Sequence, residues 1–213
     1  MSHQVSLVHC THHGDHSVAY MARVSNPEGQ NKDFTQLIRY LIKHKHWSPF
    51  EMVNMCVEIN TTRSIASQIL RHRSFSFQEF SQRYAFVDKL GNPEIPKLRR
   101  QDVKNRQNSI DDLNSNEVEI WNRMIRKHYE HSSALYRMLL EHDVAKECAR
   151  DVLPLGTPTR MYMNGSLRSW MHYCDLRCDE STQLEHQQIA NQCKELVKEN
   201  FPHTYEAWQT KTE

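Results

Sequence analysis

The segment from Gln68 to Tyr84 is dense in groups that could bind an anion, and it reads Q-I-L-R-H-R-S-F-S-F-Q-E-F-S-Q-R-Y. Three arginines and three phenylalanines stand beside a single glutamate. An arginine fork grips phosphate with two hydrogen bonds and stacks on flat rings. We therefore predict that this segment lines a pocket for a flat anionic ligand such as a nucleotide. A solvated helix end, whose arginines only complement the helix dipole, is the alternative.

Two groups of histidines raise the question of a metal site. His44 and His46 precede Glu51, and a polar N-terminal loop is also rich in histidine. Zinc sites need three or four ligands in closing geometry, whereas histidines two residues apart at a helix end point in different directions. We predict no metal site, although a histidine–metal phosphohydrolase remains an alternative. The N-terminal candidates are His9, Cys10, His12, His13 and His16.

Length and charge restrict the class of protein. The 213 residues suit a single domain spanning the chain. A formal net charge of +1 excludes a strongly basic nucleic-acid coat. A single-stranded nucleic-acid binder that uses Arg71, Arg73, Arg83 and the phenylalanines as stacking platforms remains an alternative. It would need a continuous basic groove.

The sequence indicates a cytoplasmic protein that does not enter a membrane. No apolar run approaches the roughly 18 residues of a membrane span, and the N-terminus lacks the pattern of a secretory signal. None of the six cysteines forms a C-x-x-C pair. We expect reduced thiols on this basis.

Hydrophobic periodicity predicts an α+β fold with a small sheet and several helices. Strands are predicted over 5–10, 53–60 and 159–163, and a long helix over 116–141. A helix from Thr62 or Ser64 to about Arg73 would place Gln68, Arg71 and His72 on one face. Residues 86–112 are predicted to be a mobile loop. Ser166 should cap a helix to about Arg177, and residues 182–185 should form a capping box that opens a helix to about Asn200.

The spacing within the segment resembles a known signature. Arg71-His72-Arg73-x-x-Ser76-x-x-Glu79-x-Ser81-x-Arg83 is similar to R-H-R-x-x-S-x-N-E-x-S-x-R of the flavin-dependent thymidylate synthases. Gln78 departs from it, since asparagine is usual there. Further similarity lies in Ala22-Arg23-Val24-Ser25, His46-x-Ser48-Pro49-Phe50-Glu51, Ala149-Arg150-x-Val152-Leu153-Pro154 and Ser169-x-x-x-Tyr173-x-x-Leu176-Arg177.

The resemblance implies a small central sheet flanked by helices, one of them long, and an FAD enzyme. The enzyme would methylate dUMP to dTMP with 5,10-methylenetetrahydrofolate as carbon donor and NADPH as reductant. Reduced flavin would supply the hydride, so tetrahydrofolate would be released. It would assemble as a homotetramer with active sites at subunit interfaces, and it would bind neither nucleic-acid polymer nor membrane.

The resemblance also implies roles for individual residues. Arg177 and His46 would be catalytic, with His46 beside the flavin. Positions that match dUMP contacts are Gln68, Arg71, Glu79, Phe80 through its backbone, Ser81, Arg83, Arg150 and Arg177. Positions that match FAD contacts are Ser48, Glu51, Arg71, His72, Arg73, Ser74, Glu79, Ser166, Arg168 and His172. Ser48 and Ser166 depart from the threonine and asparagine that are common there.

Chemistry suggests how Arg177 would act. C5 of uracil is a weak nucleophile until the ring gains electron density, and no cysteine lies in the 68–84 segment to add to the ring. A guanidinium at the pyrimidine edge would stabilise negative charge on the ring. Ser81 has no neighbouring base in the motif to activate it. We therefore expect Arg177 to activate dUMP electrostatically, without a covalent protein nucleophile.

Overall fold

The computed structural model describes residues 3–30 and 32–210, which form a mixed helix and sheet architecture. The strands are β1 (Gln4–Cys10), β2 (Asn54–Thr62), β3 (Phe75–Glu79), β4 (Arg100–Gln101), β5 (Ser109–Ile110) and β6 (Pro158–Ser166). The α-helices are α1 (Gly14–Ala22), α2 (Thr35–Lys43), α3 (Arg63–Ile69), α4 (Ser115–Glu141), α5 (Lys146–Ala149), α6 (Leu167–Arg177), α7 (Leu184–Asn200) and α8 (Pro202–Gln209). The predicted α+β class is confirmed.

A four-stranded antiparallel sheet in the order β1-β2-β6-β3 forms the centre of the fold. The alternation predicted for β2 is confirmed, because Met55, Val57 and Ile59 are fully buried on one face. Polar Glu58 and Asn60 alternate with them on the other face. β6 is longer than predicted and pairs with β2 along its whole length. The sheet therefore has one apolar face and one polar face.

Strand β3 lies inside the signature segment and was not predicted. Phe75 and Phe77 point toward the hydrophobic core, whereas Ser76 is exposed, which is the alternation of a strand. Phe75 pairs with Gly165 of β6. A Cβ atom at Gly165 would lie 2.4 Å from a ring carbon of Phe75, so only glycine allows this ring to lie across β6.

The core lies between the apolar face of the sheet and helices α6 and α7. Trp170 and Tyr173 of α6 are fully buried. The Trp170 indole N–H donates to the carbonyl oxygen of Met55 at 2.9 Å, so its polar atom is satisfied. The Phe75 ring meets the Trp170 ring edge-on, with 4.8 Å between centroids. The signature segment is thus anchored directly in the core.

Helix α3 ends at Ile69, earlier than predicted. Arg71 and His72 lie in the turn that follows, where their backbone N–H groups bond to Gln68 and Ile69. The predicted shared helical face of Gln68, Arg71 and His72 is therefore wrong. The chain has to leave the helix before residue 73 because β3 begins at Phe75.

The long helix α4 is confirmed, and the Asn114 side chain caps it by accepting from the Asn116 N–H. Of its residues, all of which the structure describes, Ser132 and Tyr136 are the buried ones. Trp121 is 54% exposed, because this helix packs mainly through its C-terminal half. Within the described part of the chain, none of the helices is long and apolar enough to cross a membrane.

Residues 86–112 carry local structure of their own. They contain a 3₁₀ turn at Val87–Leu90 and the β4–β5 hairpin. Arg99, beside the hairpin, forms a bidentate ion pair with Glu185 at 2.7 and 3.0 Å. The predicted capping box is wrong for this reason: α7 begins at Leu184, and the Glu185 carboxylate engages Arg99 rather than the helix end.

Replacing Phe75 with alanine should lower the free energy of unfolding by about 3–5 kcal/mol, because the ring fills core space that its neighbours cannot close. Urea unfolding at a single protein concentration measures the change. Phe86→Ala is the matched control: this ring is 47% exposed and its charged neighbour Lys146 lies 4.4 Å away, so its loss should cost about 1 kcal/mol. Equal losses for the two variants would contradict the assigned packing.

Candidate active site

His72 and Arg177 form the contact that joins the signature turn to the end of α6. The Arg177 Nε–H donates to His72 Nε2 at 3.0 Å. Because Nε2 accepts, the imidazole is neutral and carries its proton on Nδ1. Burial, followed by the positive charges of Arg177 and His172, lowers the pKa of His72 to about 4. His72 thus fixes Arg177 without competing with it as a second cation.

A second histidine, His186 of α7, lies buried behind this contact. Its Nε2 is 3.1 Å from the Tyr173 hydroxyl, and its Nδ1 is 3.4 Å from Gln68 Oε1. Burial, with smaller contributions from Arg177 and His72, lowers the pKa of His186 to about 3. The sequence analysis missed this residue, although it falls on the same helical face as the buried Ile189, Cys193 and Val197.

A cavity of about 340 Å³ lies beside the Trp47–Glu51 segment and helix α6. Four positions that the family resemblance assigns to FAD line it together with the rings of Trp47 and Trp208. Trp208 of α8 was not recognised in the sequence. The four positions are Glu51, Ser74, Arg168 and His172.

Glu51 is held at this cavity by Arg168 of α6 and by Ser166, the last residue of β6. Arg168 donates to it at 2.6 Å, and the Ser166 hydroxyl donates at 2.5 Å. Burial alone would raise the pKa of Glu51, but the hydrogen bonds from Ser166 and Arg168 and the charge of Arg168 lower it. Ser166 also accepts from the Ser169 N–H, which confirms it as the cap of α6. The Arg168 guanidinium lies 5.9 Å from the Trp47 ring centroid.

The histidine groups do not form a metal centre in the described part of the chain. There, no group of three or more His, Cys, Asp or Glu side chains could hold a metal ion. Glu51 pairs with Arg168, and the rings of His44 and His46 are 6.1 Å apart. His46 and Ser48 are both exposed. The His46 ring lies 5.9 Å from that of Tyr40.

Ser81 and Arg83 lie at a second, more open cavity of about 530 Å³. Arg83 Nε is 3.4 Å from the Glu147 carboxylate, and Arg150 Nε donates to the Glu147 carbonyl oxygen at 3.3 Å. Arg83 and Arg150, both predicted dUMP contacts, therefore meet at one residue. Lys146 also lines this cavity, and the sequence analysis missed it although it lies four residues before Arg150.

The single acid of the signature is already engaged. Glu79 accepts from Arg63 and, at 2.9 Å, from the Thr159 hydroxyl. The Phe80 N–H donates to the Arg160 carbonyl oxygen at 2.9 Å, so the donor of Phe80 is used within the sheet. Glu79 therefore neutralises an arginine from outside the segment.

Arg71 and Arg73 remain as exposed cations on the signature turn. Among the described residues, neither side chain makes a hydrogen bond or an ion pair. Free guanidinium forks of this kind favour the predicted anionic ligand over the solvated helix end. Phe75 and Phe77 pack in the core, so they cannot serve as the stacking platforms that a nucleic-acid binder would need.

Five of the eight predicted dUMP positions thus fall into two groups on one chain. Gln68 and Arg177 belong to the His72–His186 network. Ser81, Arg83 and Arg150 lie around Glu147. Among the described residues, no hydrogen bond or ion pair joins the two groups.

Comparison with known proteins agrees with this geometry. The family described as thymidylate synthase complementing protein matches residues 6–203. The chain belongs to this family. A flavin-dependent thymidylate synthase of Synechocystis is 51% identical over 185 residues, which cover 87% of this chain and 85% of the relative. A probable flavin-dependent thymidylate synthase of Paramecium bursaria Chlorella virus 1 is also 51% identical, over 87% of this chain and 86% of its own.

A solved structure confirms the fold of the family. The UMP/dUMP methylase PolB of Streptomyces cacaoi, bound with 5-Br dUMP, superposes with a TM-score of 0.87 at 28% identity. The match covers 98% of this chain and 95% of the other. The resemblance seen in the signature segment is therefore confirmed over most of this chain.

The two neutral histidines, half-buried His72 and buried His186, predict a loss of stability on acidification. His72 and His186 have pKa values of about 4 and about 3 in the folded protein, below the ordinary value of 6.5. The unfolded chain therefore binds protons in this range that the folded chain does not bind. The free energy of unfolding should fall as the pH decreases from 6.5 toward 4. Each histidine that is protonated only in the unfolded chain contributes a slope of about 1.4 kcal/mol per pH unit to the free energy of unfolding.

Urea unfolding across this pH range measures the slope. His186→Gln should reduce this slope by the contribution of one proton, about 1.4 kcal/mol per pH unit. Glutamine keeps the hydrogen bonds but cannot titrate. The exposed His131 on α4 provides the control His131→Gln, which should leave the slope unchanged. An unchanged slope in His186→Gln would contradict the buried neutral state.

Proposed function

We propose that this protein is a flavin-dependent thymidylate synthase that reductively methylates dUMP to dTMP. Its cofactor is FAD, its carbon donor is 5,10-methylenetetrahydrofolate and its reductant is NADPH, with tetrahydrofolate as the second product. The observation that carries the proposal is the pair of free guanidinium forks, Arg71 and Arg73, on a turn whose next residue, Ser74, lines the 340 Å³ cavity. The names of the relatives that are 51% identical support it.

The residues around this cavity fit a flavin dinucleotide. Arg168, His172 and the nearby Arg73 supply positive or donor groups for a diphosphate, while Trp47 and Trp208 supply flat apolar rings. A volume of 340 Å³ lies at the small end of ligand sites, which span about 300–1,000 Å³. One chain would therefore hold part of the cofactor. When bound, reduced FAD would supply the hydride for the methylation.

The second cavity fits the phosphate of dUMP. Arg83 and Lys146 bring two cations to its wall and the Ser81 hydroxyl adds a donor, while Arg150 bonds the backbone of Glu147, another residue of the wall. The Glu147 carboxylate lies 3.4 Å from Arg83 Nε and holds this arginine beside the cavity. The PolB structure, which is bound with 5-Br dUMP, supports a site for such a nucleotide in this fold.

Arg177 would activate the pyrimidine. Its Nε–H is occupied by His72 at 3.0 Å, and among the described residues its two terminal amino groups have no hydrogen-bond partner. The guanidinium is therefore anchored at one edge and free at the other. Facing the uracil, that free edge would stabilise negative charge spread over the ring, which raises the electron density at C5. No covalent protein nucleophile is needed for this step.

The active form would be a homotetramer with sites between subunits. The two separate groups of dUMP positions could complete one site if each came from a different copy of the chain. Exposed apolar residues on α4, such as Trp121 and Met124, would then be covered. Each subunit would be a single domain, in which segment 86–112 is held at Arg99 by the ion pair with Glu185. All six cysteines are free thiols, which supports a cytoplasmic location.

The absorption spectrum of the purified protein tests the proposal. We expect a yellow preparation whose flavin bleaches under NADPH, with bleaching altered by dUMP. Arg168→Ala should lose the flavin because it removes a cation of the cavity. Arg160→Ala is the matched control, since Arg160 bonds Asn60 on the polar sheet face. A colourless protein that gains no colour with added FAD would reject the proposal.

Arg177→Ala should reduce turnover by about 100- to 1,000-fold, the effect of removing a group that stabilises developing charge. Bound flavin should be retained, because Arg177 does not line the flavin cavity. Rapid-mixing measurement of a single turnover, alongside the flavin content, checks both points. Arg39→Ala is the control, because Arg39 forms an exposed ion pair with Glu206. A single-turnover rate close to that of the unmodified protein would rule out the assigned role.

A further inference from the structure

The Gln68 side chain is held from two sides by residues that carry no assigned role. Its Nε2 donates to Gln183 Oε1 at 2.7 Å, and its Oε1 lies 3.4 Å from His186 Nδ1. Gln183 in turn donates to Glu185 Oε2 at 2.9 Å. Glu185 forms the bidentate ion pair with Arg99. A continuous hydrogen-bonded path therefore runs from Arg99 to Gln68.

The charge on Glu185 determines the direction of every bond in this path. An ionised carboxylate only accepts, so the Gln183 NH₂ group must face it, and Gln183 Oε1 must face Gln68. That oxygen also only accepts, so Gln68 presents its NH₂ group to Gln183. The ion pair with Arg99 keeps Glu185 ionised: burial raises the pKa of Glu185, but the bonds from Arg99 and Gln183 outweigh burial and lower it.

The far end of the path agrees with this direction. Gln68 Oε1 faces His186 Nδ1, so Nδ1 carries the proton of the neutral ring. His186 Nε2 then accepts from the Tyr173 hydroxyl at 3.1 Å. A flipped Gln68 amide would place its oxygen against that of Gln183 and its NH₂ group against the His186 N–H. The network therefore permits one orientation of the amide.

This orientation leaves a defined hydrogen-bond donor. Among the described residues, one N–H of the Gln68 amide has no partner. We propose that the Arg99–Glu185 ion pair, acting through Gln183, positions the Gln68 amide so that its free N–H faces an oxygen of dUMP. The inference rests on the proposed function, and it makes Gln183 and Glu185 positioning residues. It also links segment 86–112, which carries Arg99, to nucleotide binding.

The burial of Arg99 and Glu185 decides which residue of the path should be changed. The Arg99 and Glu185 side chains are each 10% exposed. Removing either would leave a buried charge without its partner, which strongly destabilises a protein. Gln183 is exposed, and alanine there breaks the path without leaving a buried charge. Gln192, on the same helix, bonds Val5 and His3 rather than Gln68, so Gln192→Ala is the matched control.

A double-mutant cycle on the flavin-loaded enzyme tests the inference. The dUMP dissociation constant is measured from the change in flavin absorbance, together with flavin content, melting temperature and kcat. Gln183→Ala should weaken dUMP binding about tenfold, the effect of one misdirected hydrogen bond. Flavin content, melting temperature and kcat at saturating dUMP should stay unchanged. Gln68→Ala should weaken binding to a similar extent, and the double variant no further.

Any of the following results would overturn the inference. They are an unchanged dissociation constant in Gln183→Ala, a double variant about 100-fold weaker because the two losses add independently, and an equal loss of binding in Gln192→Ala. A fall in melting temperature or flavin content in Gln183→Ala would also overturn it, because the residue would then be structural. Failure of the unmodified enzyme to bind dUMP would instead reject the proposed function.

Discussion

The pairing of β3 with β6 places every charged group of the signature. Five residue pairs, from Phe75 opposite Gly165 to Glu79 opposite Met161, join the two strands. They draw two phenylalanines into the core and hold the ends of β3 apart. The cations before the strand, Arg71 and Arg73, therefore lie on one turn, while Ser81 and Arg83 lie beyond its other end. A single short motif can thus serve two separate cavities because a buried strand runs through its middle.

Histidine neutrality is the second constraint on the site. Two imidazoles, the half-buried His72 and the buried His186, lie near a guanidinium that would repel any further positive charge. Each is kept neutral and acts as a hydrogen-bond partner of defined direction. His72 accepts from Arg177, and His186 accepts from Tyr173 while donating to Gln68. Arg177 thereby becomes the dominant cation of this region, as an activator of uracil would require.

Acidic residues decide which arginines remain free for a ligand. Glu79 engages Arg63, Glu51 engages Arg168, and Glu185 engages Arg99. In these ion pairs, the three arginines hold the fold and the cavity walls together. Arg71, Arg73 and the outer edge of Arg177 have no protein partner among the described residues. The near-zero net charge of the chain is consistent with cations that are concentrated locally rather than spread over a surface.

The α+β class, the alternating β2, the long α4 and the Ser166 cap could be predicted from sequence. Each depends on the spacing of nearby residues, which secondary structure translates directly into faces and ends. The family signature likewise pointed to an anionic pocket and to most of its candidate residues. Strand β3 was not predicted, because a run of five residues between charged neighbours shows too little hydrophobic periodicity to be recognised as a strand.

Contacts between distant residues were decided by the tertiary structure alone. Arg177 meets His72 across 105 positions, and Gln68 meets His186 across 118. Arg99 meets Glu185 across 86 and thereby replaces a local cap that the sequence favoured. Such pairings arise only when the core brings helices and turns together. Sequence by itself determined which groups were available for chemistry, whereas packing decided which were neutralised, which were buried and which remained free.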